Sequence, residues 1–504
     1  MTPLGVDLGT TNLVAAWVDP QGEARVLYDG TGNALVPATI LFDSPHSVEI
    51  GHDPLVGESL DIPNLAVQTK RWLGRPRAFV FHEREYSAVE LASLMLRKLV
   101  DLARERVGDE IGPVTLAIPA HFDVAQRAAL HQVAQLAEVK LHDIVSEPVA
   151  AGLAFGTHEG GDLYRRMGDG IPTLVLDLGG GTFDISVVTC TAQDIHVPVV
   201  TGDDHLGGMD FDRAIYYRLC HHLWDAAGID PAEHPEIRFR LLARARQAKE
   251  TLTYNPTAHI EVPAEWIEGK VVQPLRLTAI EAAVLWEELL ARAERVLDRA
   301  LAEAETLGLD IGRVVFSGGG SLVPAFRARM LARLGQIDAA ADPLMGPDEA
   351  VAIGAALYGQ MSHPRPGAHL EPLPALHEHL PYDLGVADDV GHLVVVVPKG
   401  ARLPASGIHV FTTIEDRQEE VVFRIVRRDA DGEVTHLGEL GLNGLPPLPQ
   451  GAPDLHVRFQ VDAQGALAVT AWEGDNKPVK LHVAFSGDLT ALRPARRGKQ
   501  LIVR

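Results

Sequence analysis

Cysteine is almost missing: Cys190 and Cys220 are the only two in 504 residues. Two thiols in a chain this long cannot frame a disulfide scaffold. A reduced, cytoplasmic setting is therefore expected, with both thiols packed as small residues. Long apolar runs are missing too. Stretches such as Leu393–Val397 are strand-sized, far short of the roughly 20 residues that span a bilayer, and no partnership with a membrane is expected. The N-terminus runs straight into Leu4-Gly5-Val6, without the basic and apolar regions of a secretory leader. Positive charge is in deficit, with 45 Lys+Arg against 68 Asp+Glu and a net charge of -23. That excludes the basic face a nucleic-acid binder needs. The short basic tail from Arg493 to Arg504 reads as a solvated terminus. What is present is an ordinary globular balance, 46% hydrophobic and 22% charged, at a length that calls for at least two domains.

Two distant segments read alike: Gly5-Val6-Asp7-Leu8-Gly9-Thr10-Thr11-Asn12 and Leu176-Asp177-Leu178-Gly179-Gly180-Gly181-Thr182-Phe183-Asp184. Each runs as an apolar strand to an Asp, turns through Gly and Thr, and resumes as a strand. Glycine lets backbone N–H groups approach a polyanion, and threonine adds a hydroxyl donor. An Asp beside a phosphate cradle suits hydrated Mg²⁺, which keeps most of its water and takes few carboxylates. Twin strand–turn–strand clamps predict two pseudo-equivalent lobes holding one nucleotide from both sides.

The rest of residues 1–362 alternates strand and helix signals, as α/β layers do. Asp123 is placed to N-cap a helix whose stripe is Leu130, Val133 and Leu136. Glu281–Leu307 is Ala/Glu/Arg/Leu-rich and predicts one long amphipathic helix. Arg313–Ser317 reads as a strand entering the turn Gly318-Gly319-Gly320, and Asp348–Leu357 as a small-residue helix. Residues 363–380 are Pro-rich and predict a linker. From 381 to 504 the chain is strand and turn, predicting an antiparallel β-sandwich.

Taken together these residues resemble the heat-shock 70 (DnaK-type) chaperone family, on the actin–hexokinase type of ATPase fold. The match rests on Asp7–Asn12, Ala117–Asp123 with its helix, Ser146–Gly152, Asp177–Asp184, His205–Asp212, Gly318–Ser321 and Asp348–Ala356, in the family's order. The resemblance implies a two-lobed α/β ATPase domain over 1–362, divided near residue 170, followed by a β-sandwich that binds unfolded or extended peptide. It implies ATP/ADP and Mg²⁺ as ligands, and a J-domain-type cochaperone and an exchange factor as partners. Residue by residue, Gly9, Thr10, Thr11 and Asn12 would wrap the β- and γ-phosphates from one lobe, and Gly179, Gly180, Gly181 and Thr182 from the other. Asp7 and Asp177 would hold the metal through its waters. Glu147 would orient the attacking water or a metal-bound one, and Lys70, in Thr69-Lys70-Arg71-Trp72-Leu73-Gly74, would reach the γ-phosphate. Gly318, Gly319, Gly320, Ser321, Lys249 and Thr253 belong to the adenosine side. Pro119 and Arg127 would relay the nucleotide state outward. Asp184 would assist the metal or cap its hairpin, and Asp348 would approach the adenosine or cap a helix.

The sequence also departs from the family. Leu322 stands where the adenine-stacking arginine is usual, and Arg246 where the ribose-binding glutamate is usual. Losing a stacked guanidinium forfeits about 0.5–2 kcal/mol. Between Gly74 and Val114 the chain is shorter than typical members, so the customary exchange partner is not assumed. The linker carries His377, Glu378 and His379 in place of aliphatic residues, predicting weak docking on the ATPase, weaker still once histidine protonates below about pH 6. In the tail, Ile414 falls on the peptide arch, Asp389 where an apolar arch residue is usual, and Val421 at the central peptide pocket or in plain sandwich core. No charged helical lid follows, so captured peptide is expected to escape quickly. The leading expectation is a slow ATP hydrolase gating peptide binding. The alternative is a nucleotide-gated interaction module with little or no turnover and one dedicated partner.

Overall fold

The computed structural model describes residues 2–30, 32–51, 62–108, 111–158, 170–191, 194–267, 269–335, 338–340, 346–364, 375–387, 392–429, 432–462, 465–474, 479–482 and 501–503. Asp389, the Asp429–Gly432 hairpin tip in part, and the basic tail apart from 501–503 lie outside them.

Two α/β lobes repeat one strand arrangement. In the first sheet the order is Leu141–Ser146, Ile111–Ile118, Thr2–Leu8, Asn12–Val18, Ala24–Val26. In the second it is Asp338–Ala340, Arg313–Ser317, Thr173–Leu178, Phe183–Cys190, Asp194–Asp203. In each, the first three strands are parallel and the last three antiparallel. The central strands are buried on both faces and read as unbroken apolar runs, as parallel strands covered by helices do. Asp7 and Asp177 end the equivalent strands Thr2–Leu8 and Thr173–Leu178, so the duplication in sequence is a duplication in space.

The lobes meet through two small-residue helices. Glu147–His158 packs its Val149, Ala150 and Leu153 with Val175 and Val315 of the second sheet. Ala350–Ser362 packs Ala352, Ala356 and Leu357 with Val14 and Ala16 of the first. The two helices touch at Gly354, where an added Cβ would fall on the Ala150 carbonyl oxygen, and Gly5 meets the backbone of Ala356 equally closely. Only hydrogen fits at these points.

Local signals explain most element ends. Asp123 caps Val124–Leu136, accepting from Gln126 N–H at 2.8 Å while the Gln126 side chain returns to the Asp123 N–H at 2.9 Å, a reciprocal capping box. The single helix expected over Glu281–Leu307 is two, Ala279–Leu285 and Glu287–Thr306. The break is at Trp286, which is buried and donates its indole N–H to the Phe211 carbonyl at 3.1 Å. Satisfying that anchor overrides the helix-forming composition on either side.

The C-terminal sandwich has one sheet ordered Leu393–Val397, Asp383–Ala387, Glu420–Arg428, Val434–Asn443 and another ordered Val479–His482, Leu467–Glu473, Leu455–Val461, Ala405–Thr413, Leu501–Val503. Phe411, Phe423, Ile425, Val457 and Phe459 fill the space between them. Val421 is among these core residues, with none of its surface exposed. It therefore takes the packing role and not the peptide-pocket role. Ile414 is half-buried just beyond Ala405–Thr413, its N–H donating to Gln418 Oε1 at 3.0 Å.

Part of the expected linker is a strand. Ala375–Glu378 adds in parallel to the edge strand Asp194–Asp203 of the second lobe. The polar composition does not prevent docking, because each polar group meets a partner. His377 Nε2 is 2.5 Å from Asp194 Oδ1, His379 Nδ1 is 3.2 Å from the Val197 carbonyl, and Arg127 Nη2 is 3.6 Å from Glu378 Oε2. Burial holds the His379 pKa below its ordinary value, so protonation opposes docking and this contribution fades as pH falls through the normal histidine range.

Gly354→Ala should cost about 3 kcal/mol, because the clash is with backbone that cannot rotate away. Gly441→Ala, where a Cβ meets nothing within 4 Å, should stay within about 0.5 kcal/mol of wild type. Urea midpoints of the two variants check this, and equal midpoints would contradict the packing account.

Candidate functional site: a charged cleft between the glycine hairpins

The two hairpins face each other across a cavity of about 720 Å³. Their approach is close: a Cβ on Gly180 would strike Thr11 Oγ1 of the other hairpin, and within the first hairpin one on Gly9 would strike the Asn12 carbonyl. The second hairpin is braced from behind, since Gly208 N–H donates to the Gly179 carbonyl and Met209 N–H to the Gly180 carbonyl, both at 2.9 Å. This brings the helix Gly208–Ala227 to the cleft by its N-terminus.

The cavity wall contains Asp7, Gly9, Thr10, Thr11, Asn12, Lys70, Pro119, Glu147, Asp177, Gly179, Gly180, Thr182, Lys249, Thr253, Gly318, Gly319, Gly320 and Leu322. Two expected members lie off it. Ser321 is fully buried beneath the turn. Gly181 points its carbonyl at Arg71, whose Nη2 donates to it at 2.8 Å. Arg127 is also away from the wall, its Nε donating to the Phe122 carbonyl at 3.3 Å. Lys249 is engaged with Asp212 Oδ1 at 2.7 Å and the Gly208 carbonyl at 3.0 Å.

Charge is concentrated here. Lys70 Nζ is 3.0 Å from Glu147 Oε1 and 3.7 Å from Asp7 Oδ1. Burial pushes the Glu147 carboxyl up to about 7, despite the pull of Lys70. Burial likewise raises Asp177, helped by the charges of Glu147 and Asp184, although Ser317 donates to its Oδ2 at 2.9 Å. Asp7 is raised by burial with Lys70 opposing. Burial works against charge on Lys70 too, but Glu147 and Asp7 outweigh it. Carboxylates crowded in this way are short of positive charge.

A histidine partly answers that shortage. His121 Nδ1 contacts Asp184 Oδ1, and its Nε2 is 2.9 Å from Asp204 Oδ1. Two carboxylates, one on each ring nitrogen, require an imidazolium. Burial opposes the charge, yet the two aspartates hold the pKa well above the ordinary value. Asp184 is thereby committed to His121. His121 lies inside the Ala117–Asp123 segment that carries the family resemblance, but nothing local marks a histidine for partners that lie 63 and more residues away.

The adenosine end differs from expectation in one respect. Arg246 does not project alone into the cleft. Its Nε donates to Glu250 Oε1 at 2.8 Å and its Nη2 to Asn12 Oδ1 at 3.0 Å. It ties the helix Pro235–Tyr254 to the first-lobe hairpin. With Arg71 it makes a second strap between lobes. Leu322, Thr253, Tyr254, Asp348 and Val351 complete this end.

The residues fit a hydrated divalent cation. Asp7 Oδ1 and Thr11 Oγ1 are buried and make no hydrogen bond, and Asp7 and Asp177 lie on the same cavity wall with raised pKa values. A metal shell is what would satisfy such oxygens.

Comparison with known proteins identifies the family. The family described as "Hsp70 protein" matches residues 77–492. The chain is similar to the chaperone protein DnaK of Thermosipho melanesiensis, 31% identical over 472 residues, covering 93% of this chain and 77% of that protein. It is similar at 30% identity to DnaK of Thermotoga maritima, covering 93% and 78%. It is 33% identical to the chaperone protein HscA homolog of Bordetella pertussis over 495 residues, covering 93% and 76%. The chain belongs to the Hsp70 family. Members of this family are ATPases that use ATP/ADP with Mg²⁺ and bind unfolded peptides and cochaperones. Among the described residues, no helix is long and apolar enough to cross a membrane.

His121→Gln should destabilise the protein by about 3 kcal/mol at pH 6, since it leaves Asp184 buried and uncompensated. Because the folded pKa is raised, this contribution is complete below about pH 6.5 and is lost as pH rises through the folded value. The wild-type advantage in urea midpoint should therefore shrink as pH rises well past the ordinary histidine range, and an advantage that grows with pH would contradict the imidazolium.

Proposed function

We propose that this chain is a slow Mg²⁺-dependent ATP hydrolase in which residues 1–362 gate, through the linker 363–380, the binding of extended peptide by the sandwich 381–504. The observation that carries this reading is an unbroken path from the cleft to the sandwich. Lys70 Nζ lies 5.8 Å from the centre of the Phe122 ring. The Phe122 carbonyl accepts from Arg127, which faces Glu378 of the docked linker strand. The neighbouring Asp123 faces Arg427 of the sandwich, Nη1 to Oδ2 at 3.4 Å. Pro119, on the cavity wall, begins this segment, and its carbonyl accepts from Phe122 N–H at 3.1 Å. A change in charge at Lys70 is thus three residues removed from both ends of the interdomain joint.

In hydrolysis the chain positions and neutralises, which is most of what phosphoryl transfer to water requires. Backbone N–H groups of Gly9–Asn12 and Gly179–Thr182 and the hydroxyls of Thr10, Thr11 and Thr182 hold the β- and γ-phosphates. Lys70 leaves part of its pairing with Glu147 to meet γ-phosphate charge. Glu147, whose pKa sits near neutrality, then orients the attacking water and takes its proton. Asp7 and Asp177 would hold a hydrated Mg²⁺ through its waters, and the ion would supply charge neutralisation. Leu322 packs on the base by aliphatic contact alone, so weaker nucleotide affinity than a stacked arginine gives is part of the proposal. Ile414 is the remaining candidate for peptide contact. A J-domain-type cochaperone and an exchange factor are the partners this cycle calls for, and the cytoplasm its setting.

The burial of Val421 favours a second reading, a nucleotide-gated module that binds one dedicated partner with little turnover. Steady-state ATPase assays with and without a panel of extended apolar peptides separate the two. On the first reading, peptide raises kcat, and Lys70→Ala and Thr182→Ala each lower it by about 10²-fold. Arg427→Ala should keep basal kcat within about twofold while losing the peptide effect. Tight ATP binding with no turnover, unchanged in Lys70→Ala, selects the second.

A further inference from the structure

We propose that the joint between the linker strand and the second lobe is a site for a borderline transition-metal ion of the zinc class, with Asp194, His196 and His377 as its ligands. The site arises from strand register. Ala375–Glu378 runs parallel to Asp194–Asp203 with His377 directly paired to His196 and Ala375 to Asp194. Side chains paired across parallel strands share a face, as do residues two apart on one strand. His196, His377 and Asp194 therefore converge on one side of the sheet edge. One ligand atom from each lies within 4.8 Å of the others. The two imidazole rings are 4.8 Å apart centre to centre.

The donor set selects the metal. Two imidazole nitrogens and one carboxylate oxygen suit Zn²⁺, with bonds of about 2.0–2.2 Å and a fourth position for water. Around a tetrahedral ion such donors stand about 3.3 Å apart, so the His377 Nε2–Asp194 Oδ1 pair, at 2.5 Å, would open slightly while wider separations, all within 4.8 Å, would close. Hard Mg²⁺ prefers oxygen ligands and keeps its water, so the ion serving the nucleotide cleft would not take this place. All three residues are partly buried, which gives the ion an entry path from solvent.

The position already gathers positive charge. Arg402 Nη2 is 2.7 Å from His377 Nδ1 and 2.8 Å from its Nε2. Arg402 is exposed, so its guanidinium can turn to water when a metal enters. Arg402 is thus a competitor for His377, and its removal should tighten metal binding. Two of the ligands belong to the lobe and one to the linker, so the ion has its full ligand set only while the linker is docked. An ion binding only the docked form raises the ratio of docked to undocked chain by one plus its concentration over Kd, about 100-fold at 100 times Kd. The site would hold the interdomain joint closed without touching the nucleotide cleft.

The test uses the full chain, stripped with a chelator and dialysed, with zinc chloride as the probe. Competition against a chromophoric chelator should show one tight equivalent. His196→Ala and His377→Ala should each weaken it at least 30-fold, and Arg402→Ala should tighten it. Hydrogen exchange at the amides of Ala375–Glu378 should slow on adding zinc in wild type and not in His196→Ala. His196→Ala leaves the linker residues intact, and its urea midpoint reports whether the fold is preserved. No tight equivalent, or one that both alanine variants keep, overturns the proposal. Neither readout involves ATP, so its failure is independent of the hydrolase reading.

Discussion

The cleft is organised by a shortage of positive charge. Four carboxylates, Asp7, Glu147, Asp177 and Asp184, lie around it, and Lys70 and His121 are the cations set against them. Out of water, like charges at these separations cannot all be ionised without help. The protein has divided the problem. His121 occupies Asp184 from the side, Lys70 joins Asp7 to Glu147, and Asp177 keeps a hydroxyl bond to Ser317. What is still lacking is positive charge of the kind a divalent cation would bring. Burial raises the Asp7, Glu147 and Asp177 pKa values, repulsion between carboxylates adds to it at Glu147 and Asp177, and such a cation would oppose both.

That electrostatic demand is met only if the lobes stay at one separation. Gly354 against Ala150 and Gly5 against Ala356 set it from below. Arg71 to Gly181 and Arg246 to Asn12 span it from the sides. Arg246 changes its meaning in this light. Where the resemblance leads one to expect a ribose-binding glutamate, this chain has a cross-lobe strap. Closure is then partly built into the protein, and less of it is left for the nucleotide to supply.

The interdomain joint follows a similar logic at the surface. Its polar groups are individually expensive to bury, and each is matched: Arg127 with Glu378, Arg427 with Asp123, Lys399 with Glu303 at 2.8 Å. Charge pairs of this kind set register and orientation more than they add stability. An apolar linker would dock by area alone. Here docking depends on particular partners, so it can respond to protons, ions or charge in the cleft.

The chain by itself declared the fold class, because the 3.6 and 2 periodicities and the doubled Asp–Gly–Thr turns are local patterns. It declared most of the cleft for the same reason: each hairpin carries its own glycines, hydroxyl and carboxylate within a few residues. Val421 shows where that stops. A valine in a strand looks the same whether it faces a peptide or a core, and only sheet packing chose the core. The division at Trp286, the imidazolium of His121 and the polar docking of residues 375–378 were likewise decided by tertiary structure. In each case the partner is remote in sequence, and burial sets the cost of leaving that group unsatisfied.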